Sequence, residues 1–240
     1  MVPEVVILAG GPATRLYPIT HEVPKAMVRV AGDPFIAHQL RLLKDNGISR
    51  VVICAGYLGE QIKDFVKDGS AFGIKTAYSF DGQKLLGTGG AVKKVLDLLG
   101  DYFFVMYGDS YLRVNFSQVS EYFSRQDKPG LMTILKNNNN WDKSNITYKN
   151  GAIIKYDKQN PGGDMEYIDY GLSLFKKEAF LIREYPESFD LESLYQDLIA
   201  DGRLIAYEVR ERFFEIGSLE GLEETDEYLR GISKNKLPGD

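Results

Sequence analysis

With 240 residues, 44% of them hydrophobic, the chain can bury one substantial core. A single domain over residues 1–240 is expected, with no terminal array of short repeats of the kind that builds a β-helix. Its 29 Lys and Arg against 34 Asp and Glu give a net charge of −5 with no basic block, which argues against a nucleic-acid partner and suits a small anionic ligand. No apolar stretch approaches the ~20 residues of a membrane span and no signal-peptide layout opens the chain, so a cytoplasmic setting with no membrane partner is expected.

In chain order, residues 4–9 are apolar and β-branched enough for a buried parallel strand, and the pair Gly10-Gly11 follows directly. Asp33-Pro34 reads as a helix cap and first-turn proline, with Phe35, Ile36, Leu40 and Leu43 on one face until Asn46-Gly47. Strands are expected at 50–55, 75–79 and 102–107, with a helix at 58–67 and another from Thr88 that carries Val92, Val95, Leu96 and Leu99 inward. Cys54, the one cysteine, lies in the apolar run 51–55 and reads as a buried structural thiol. Ser117 is the expected cap of a fourth helix. Beyond Gly130, residues 131–135 read as a strand, and 146–148 and 153–156 flank Asn150-Gly151, a strong hairpin signal. The run 137–140 reads as a polar loop. Asp190 is placed as the cap of a helix ending at Ala200, and Ser218 as the cap of the last helix, with Leu219, Leu222 and Leu229 facing inward. This alternation gives the α/β class: a Rossmann-like, doubly wound mixed sheet, mostly parallel, with an antiparallel hairpin insertion.

The segment after the first strand carries the chemistry. It reads Leu8-Ala9-Gly10-Gly11-Pro12-Ala13-Thr14-Arg15-Leu16-Tyr17-Pro18, with Thr20 and Pro24-Lys25 behind it. Open α/β sheets bind ligands at the carboxyl ends of their strands, glycines let a backbone approach closely, and successive N–H groups can form an anion-binding nest. Arg15 and Lys25 add the positive charge that an incoming phosphate needs. This order of residues resembles the signature of the sugar-phosphate nucleotidylyltransferases, Leu-Ala-Gly-Gly-x-Gly-Thr-Arg-Leu-x-Pro followed by a threonine and a Pro-Lys pair. Pro12-Ala13 departs from it, because Ala13 stands where the family has glycine and tolerates fewer backbone conformations.

Strand 102–107 runs into Gly108-Asp109-Ser110, which puts Asp109 at the same sheet edge as the first loop. Magnesium is a hard ion that uses one or two carboxylates plus phosphate oxygens, so Asp109 is a candidate metal ligand. The resembled family has a Gly-Asp metal motif at this place. Phe213-Phe214-Glu215-Ile216-Gly217-Ser218 is similar to the family's aromatic-x-Asp-Ile-Gly-Thr motif, which makes Glu215 the second candidate ligand, with Glu in place of Asp. Residues 81–90 resemble the family's Leu-Gly-Thr-Ala/Gly-Gly base-contact segment. Gly87, Thr88 and Gln83 therefore join Leu8, Ala9, Gly10, Gly11 and Thr14 as candidate nucleotide-binding residues, and Thr88 also reads as a helix cap. Asp157-Lys158 resembles the Glu-Lys pair whose lysine meets the sugar 1-phosphate, and Asp169-Tyr170-Gly171 stands where the family has an Asn-Ala-Gly-type sugar contact. Asp157, Lys158, Asp169 and Gly171 are thus the sugar-phosphate candidates, while Tyr170 also fits core packing. His21 and His38 form no evident catalytic pair, and Trp141 reads as a loop or packing residue.

The resemblance implies a nucleotidylyltransferase that joins a nucleoside triphosphate to a sugar 1-phosphate, with Mg²⁺ as cofactor and with Arg15 and Lys25 as the catalytic cations. The Leu-Gly-Thr-Gly-Gly run is most similar to heptose and mannose 1-phosphate guanylyltransferases and to N-acetylmuramate 1-phosphate uridylyltransferase, a lean toward GTP. A homo-oligomer is left open. Three alternatives also stay open: a cytidylyltransferase for a non-sugar phosphate such as phosphocholine, a metal-dependent glycosyltransferase, and a non-catalytic nucleotide sensor. Acceptor profile, the phosphate product released and the presence of turnover separate them.

Overall fold

The computed structural model describes residues 2–235 and centres on a nine-stranded sheet. The β-branched run near the N-terminus forms β1 (Val5–Ala9). A short ribbon of β2 (Arg29–Val30) and β3 (Asp33–Pro34) leads into α1 (Phe35–Asp45). Then β4 (Arg50–Ala55), α2 (Gly59–Val66), β5 (Lys75–Phe80), α3 (Gly87–Lys94) and β6 (Tyr102–Tyr107) alternate as the sequence pattern requires. These strands are parallel and lie in the order β6-β1-β4-β5, with Val5 opposite both Val51 and Phe104. Because side chains alternate along a strand, β1 feeds two cores. Val5 and Ile7 pack with Ile36 and Leu40 of α1 and Ile62 of α2, while Val6 packs with Val92 of α3 on the other face.

The second half adds β7 (Ser110–Tyr111), α4 (Phe116–Ser124), β8 (Gly130–Lys136), the hairpin β9 (Ile146–Lys149) and β10 (Ala152–Tyr156), and the ten-residue β11 (Tyr167–Lys176). It ends with α5 (Leu191–Ala200), β12 (Leu204–Val209), β13 (Phe214–Glu215) and α6 (Leu219–Asn235). The β11 strand runs antiparallel to β6 through Leu172–Lys176, and pairs β9 only at Tyr167. Its register on β8 slips between Asp169 and Ser173, where Gly171 takes φ +92°, a conformation that glycine adopts freely. Asn150 and Gly151 both have positive φ, the geometry that an Asn-Gly hairpin turn needs. Among the described residues, no helix is long and apolar enough to cross a membrane.

Four local expectations are corrected. Asp33 does not cap α1; its carboxylate pairs with Arg41 at 2.6 Å, Pro34 occupies the cap position, and the β2–β3 ribbon sets where the helix begins. Asn115, not Ser117, caps α4, since it is extended at the cap position and its Oδ1 accepts from the Gln118 N–H at 3.1 Å. The helix from the Thr88 region stops at Lys94 and gives way to a 3₁₀ turn at Leu96–Leu98, although Val92, Val95 and Leu99 are buried as expected. Leu219 is 55% exposed and stands outside the cluster of Val28, Val30, Phe35 and Ile216 that Leu229 joins. Ser218 does cap α6, its hydroxyl accepting from the Gly221 N–H at 3.0 Å.

Candidate active site

The chain leaving β1 is pinned at several points. Tyr57 N–H donates to the Gly10 carbonyl at 3.1 Å, and the Thr20 hydroxyl donates to the Ala13 carbonyl at 2.8 Å. Ala13 sits in the left-handed region (φ 53°, ψ 45°), where an L side chain is strained, and a 3₁₀ turn at Thr14–Leu16 follows. Leu16 is fully buried and anchors that turn, which leaves Arg15 directed away from the core and exposed. After Pro24, a further 3₁₀ turn at Lys25–Met27 buries Ala26 and brings the Lys25 ammonium 2.8 Å from Asp109 Oδ2.

Asp109 follows β6 at the carboxyl edge of the sheet, behind a close backbone approach. A Cβ on Gly108 would lie 2.7 Å from the Leu8 carbonyl, so a side chain there would push the edge apart. The next residues form β7, which pairs with β13, so that Glu215 opposes Ser110 and the Ile216 N–H donates to the Asp109 carbonyl at 3.0 Å. Two acidic residues 106 positions apart in sequence (215 − 109) thereby come side by side. A Cβ on Gly217 would lie 3.1 Å from Glu215 Oε1 and 3.6 Å from Arg15 Nη2, which fixes Arg15 at the same place.

Electrostatics separate the two carboxylates. Burial alone would push the Asp109 carboxyl up, but the Lys25 charge and hydrogen bonds from Lys25 and Ser110 overcome it and hold the group below its ordinary value. At Glu215 burial dominates, the Asp109 and Asp142 charges add to it, and Arg15 and Lys25 offset only part, so this carboxyl is pushed up to about 7. Two neighbouring carboxyl groups at the mouth of the clefts suit a magnesium ion, which takes few protein carboxylates and completes its shell with phosphate oxygens and water. Among the described residues, no group of three or more His, Cys, Asp or Glu is arranged to hold a metal by itself.

Two clefts meet at this point. The first is lined by Leu8, Ala9, Gly10, Gly11, Gly87 and Thr88 of the expected nucleotide set, together with Lys25 and Asp109. The second, about 440 Å³, is lined by Arg15, Asp109, Glu215, Lys158, Asp169 and Gly171. Tyr107 and Asp109 belong to both walls. Lys158 reaches over the Tyr107 ring, donates to its hydroxyl at 3.1 Å and lies 3.3 Å from Asp169 Oδ2. Asp169 is itself held by Tyr156, whose hydroxyl donates to Oδ2 at 3.0 Å, and by the Gly171 N–H on Oδ1 at 3.0 Å. Gly87, at φ +70°, carries the chain so close to the Phe189 carbonyl that a Cβ would be 2.6 Å away.

Three expected contacts line neither cleft. Thr14 points outward from its turn, and Gln83 is exposed on the loop after β5. Asp157 instead organises the turn behind Lys158, its Oδ1 accepting from the N–H groups of Gln159 (3.1 Å) and Asn160 (2.8 Å). Other lining residues escaped the sequence reading, Tyr107 and Asp190 in the first or shared wall and Asp142 and Lys143 in the second, while Asp81 lay in the 81–90 segment without being singled out. Asp81 carried a usable signal, since it ends β5 as Asp109 ends β6. Asp190 and Asp142 carried none, because loops from the far half of the chain deliver them. Cys54 is buried, with its thiol pushed up to about 12 by burial first and by the Asp81 charge second, and is structural as expected. Tyr170 is fully buried.

Residues 4–229 match the model of a family described as nucleotidyl transferase. The UTP–glucose-1-phosphate uridylyltransferase of Synechocystis is 26% identical over 219 residues, covering 83% of this chain but only 56% of that protein. The D-glycero-alpha-D-manno-heptose 1-phosphate guanylyltransferase of Campylobacter jejuni is 28% identical over 195 residues, or 81% of this chain and 85% of that one. Among solved structures, HddC from Yersinia pseudotuberculosis superposes with a TM-score of 0.79 at 24% identity over 95% of this chain and 99% of that one. The inositol-1-phosphate CTP transferase of T. maritima has a TM-score of 0.80 at 20% identity, covering 99% and 98% of the two chains. At those identities the likeness speaks for the fold. With the glycine loop, the strand-end acid and the paired clefts in place, the family match settles descent: this chain belongs to the nucleotidyl transferase family.

Proposed function

We propose that the protein transfers a nucleotidyl group from a nucleoside triphosphate to a sugar 1-phosphate. An oxygen of the sugar phosphate attacks the α-phosphorus; a new P–O bond forms, the bond to the β-phosphate oxygen breaks, and pyrophosphate leaves. The nucleophile is already ionised, so no general base is needed, and catalysis rests on in-line positioning and on cancelling charge as it moves to the leaving group. The observation that carries this reading is the convergence of Arg15, Lys25, Asp109 and Glu215 where the two clefts join.

In this reading the triphosphate occupies the first cleft, with its phosphates toward Lys25 and Arg15, and the sugar phosphate occupies the second, against Lys158 and Asp169. Lys25 bridges phosphates near the reacting centre, and Arg15 meets the charge that builds on departing pyrophosphate. Asp109 and Glu215 would hold Mg²⁺, which supplies further charge cancellation on the phosphate oxygens when bound. The favoured pair is GTP with a heptose or mannose 1-phosphate, a reading supported by the guanylyltransferases of both kinds among the relatives.

The test is a matrix of four triphosphates against mannose, glucose, heptose and N-acetylmuramate 1-phosphates, following pyrophosphate. Sugar-dependent pyrophosphate release is expected. Release of a nucleoside diphosphate, or tight binding with no turnover in any cell of the matrix, would sink the proposal.

A further inference from the structure

The asparagines of 137–140 and Trp141 build a stiff loop beside the second cleft. Asn137 is fully buried and ties the loop to itself: its Nδ2 donates to the Asp142 carbonyl at 2.6 Å and to Ser144 Oγ at 3.1 Å, and its Oδ1 accepts from the Trp141 N–H at 3.3 Å. Asn138 and Asn139 turn the chain at φ 49° and 59°, a region that asparagine tolerates better than most residues. The Ser144 N–H donates to Asn139 Oδ1 at 2.8 Å, and the Asn139 N–H donates back to Ser144 Oγ at 3.1 Å. Among the described residues, the hydrogen bonds of residues 139–143 close within the loop, whose stem is held by the N–H groups of Asn137 and Asn138 on the Glu166 carbonyl. The loop stands between two spaces. Asp142 and Lys143 line the second cleft, and residues 139–144 also face Pro161, Gly162 and Gly163 across a further cavity of about 600 Å³. One contact from the body of the protein reaches its tip. The Arg212 guanidinium lies 3.9 Å from the centre of the exposed Trp141 ring and 4.5 Å from that of Phe214. Arg212 is itself anchored, with Nη2 donating to Glu224 of α6 at 2.6 Å and Nε to the Phe213 carbonyl at 3.3 Å.

We infer that Arg212 is a positioning residue for the sugar phosphate: by holding Trp141 it latches the 137–144 loop in place as a wall of the second cleft. The inference rests on the nucleotidylyltransferase reading of that cleft. A guanidinium over an indole face is the strongest of the cation–π pairings, and Arg212 loses little freedom in making it because Glu224 and Phe214 already fix it. With the latch made, the loop presents Asp142 and Lys143 to the cleft that Lys158 and Asp169 also line. The Asp142 Oδ1 accepts the Lys143 N–H; among the described residues no other hydrogen bond or ion pair holds the Asp142 carboxylate or the Lys143 ammonium. A carboxylate accepts from hydroxyls and an ammonium donates to their oxygens, so this wall suits the ring hydroxyls of a sugar. With the latch broken, the neighbouring cavity gives the loop room to swing away without losing its internal bonds. The acceptor then binds only the latched fraction, and its apparent affinity falls with that fraction. None of residues 137–144 lines the first cleft, so the triphosphate is indifferent to the latch.

The experiment uses the intact protein with magnesium and with the triphosphate and sugar 1-phosphate that give the fastest pyrophosphate release in the matrix above. Trp141→Ala and Arg212→Met are each expected to raise KM for the sugar phosphate about fivefold, with kcat and KM for the triphosphate within about twofold of wild type. Trp141→Phe, which keeps an aromatic face, should recover most of the loss, and the double variant Trp141→Ala, Arg212→Met should be no worse than the poorer single one. Trp141 is the chain's single tryptophan, so its fluorescence reports the latch directly. Acrylamide should quench it more strongly in Arg212→Met than in wild type. Saturating sugar phosphate, added with the unreactive α,β-methylene analogue of the triphosphate, should return that variant to the wild-type level. An unchanged or lowered KM for the sugar phosphate, an equal rise for both substrates, additive losses in the double variant, or quenching that the sugar phosphate does not restore would each overturn the inference while leaving the transferase reading standing. Failure of the folded wild type to release pyrophosphate with any pair would overturn both.

Discussion

Thr88 and Asp190 cap each other's helices across 102 residues of sequence. The Thr88 N–H and hydroxyl donate to Asp190 Oδ1 at 3.0 and 3.1 Å, and Thr88 Oγ1 accepts from the Leu191 N–H at 2.8 Å, so α3 and α5 each borrow a cap from the other. Single caps contribute about 1 kcal/mol, and caps in one network are not additive. Thr88→Val and Asp190→Ala should each lower stability in urea by about 1–2 kcal/mol. The double variant should lose clearly less than the sum, and Thr88→Ser should stay near wild type. Additive losses would show that the two residues act separately.

Arg15 and Lys158 should fail in different ways. Arg15 is an exposed cation lining the second cleft, and in the proposed reaction its contact strengthens as pyrophosphate leaves. Arg15→Ala should therefore lower kcat more than it raises KM for either substrate. Lys158 is pre-positioned by Tyr107 and Asp169, so Lys158→Met should mainly raise KM for the sugar phosphate. Steady-state kinetics with both substrates varied would expose an exchange of these two patterns, which would reverse the assignments.

Glu215 gives the molecule a pH dependence of definite sign. Its carboxyl lies at about 7 in the folded protein against an ordinary 4.5. Between those values the folded state keeps a proton that the unfolded state has lost, so this residue's contribution to stability falls as pH rises through the interval and stays low above it. Glu215→Gln removes the titration. In metal-free buffer its stability advantage over wild type should grow between pH 5 and pH 8, by on the order of 1–2 kcal/mol once solvent screening is allowed for. Denaturation curves at the two pH values decide; a constant or shrinking gap would contradict the assigned shift.

Ala13 occupies a backbone region that costs an L residue about 1–2 kcal/mol. Glycine would relieve that strain but would add about 0.5–1 kcal/mol of unfolded-state entropy. Ala13→Gly should thus be neutral to slightly stabilising, while the β-branched Ala13→Val should destabilise by more than about 1 kcal/mol. Equal stability for the glycine and valine variants, measured by urea titration, would place Ala13 outside the left-handed region.

Much of the centre could be read from local pattern, because buried parallel strands announce themselves as apolar β-branched runs and their carboxyl ends follow at once. Gly10-Gly11 and Asp109 belong to that class, and Lys25 is indeed found against Asp109. Glu215 was reachable only through its surrounding motif, since the β7–β13 pairing that brings it to Asp109 is two residues long and leaves no periodic trace. The β11 and β12 strands were not anticipated, and β11 in particular changes partners around the Gly171 bulge, which only tertiary pairing specifies. Helix starts failed where another group took the position: Asp33 turned to Arg41, and Asn115 rather than Ser117 caps α4. Gln83 and Asp157 line neither cleft, because adjacency along a motif does not decide which way a loop side chain points.

The wall formed by Tyr107 and Asp109 has a thermodynamic corollary. Since it is a party wall, an occupant of either chamber finishes the surface that the neighbouring occupant will touch. Linkage then requires that whatever the first ligand does to the affinity of the second, the second does equally to the first. In the proposed reaction, donor and acceptor are in this sense effectors of one another, through the two side chains that both clefts share.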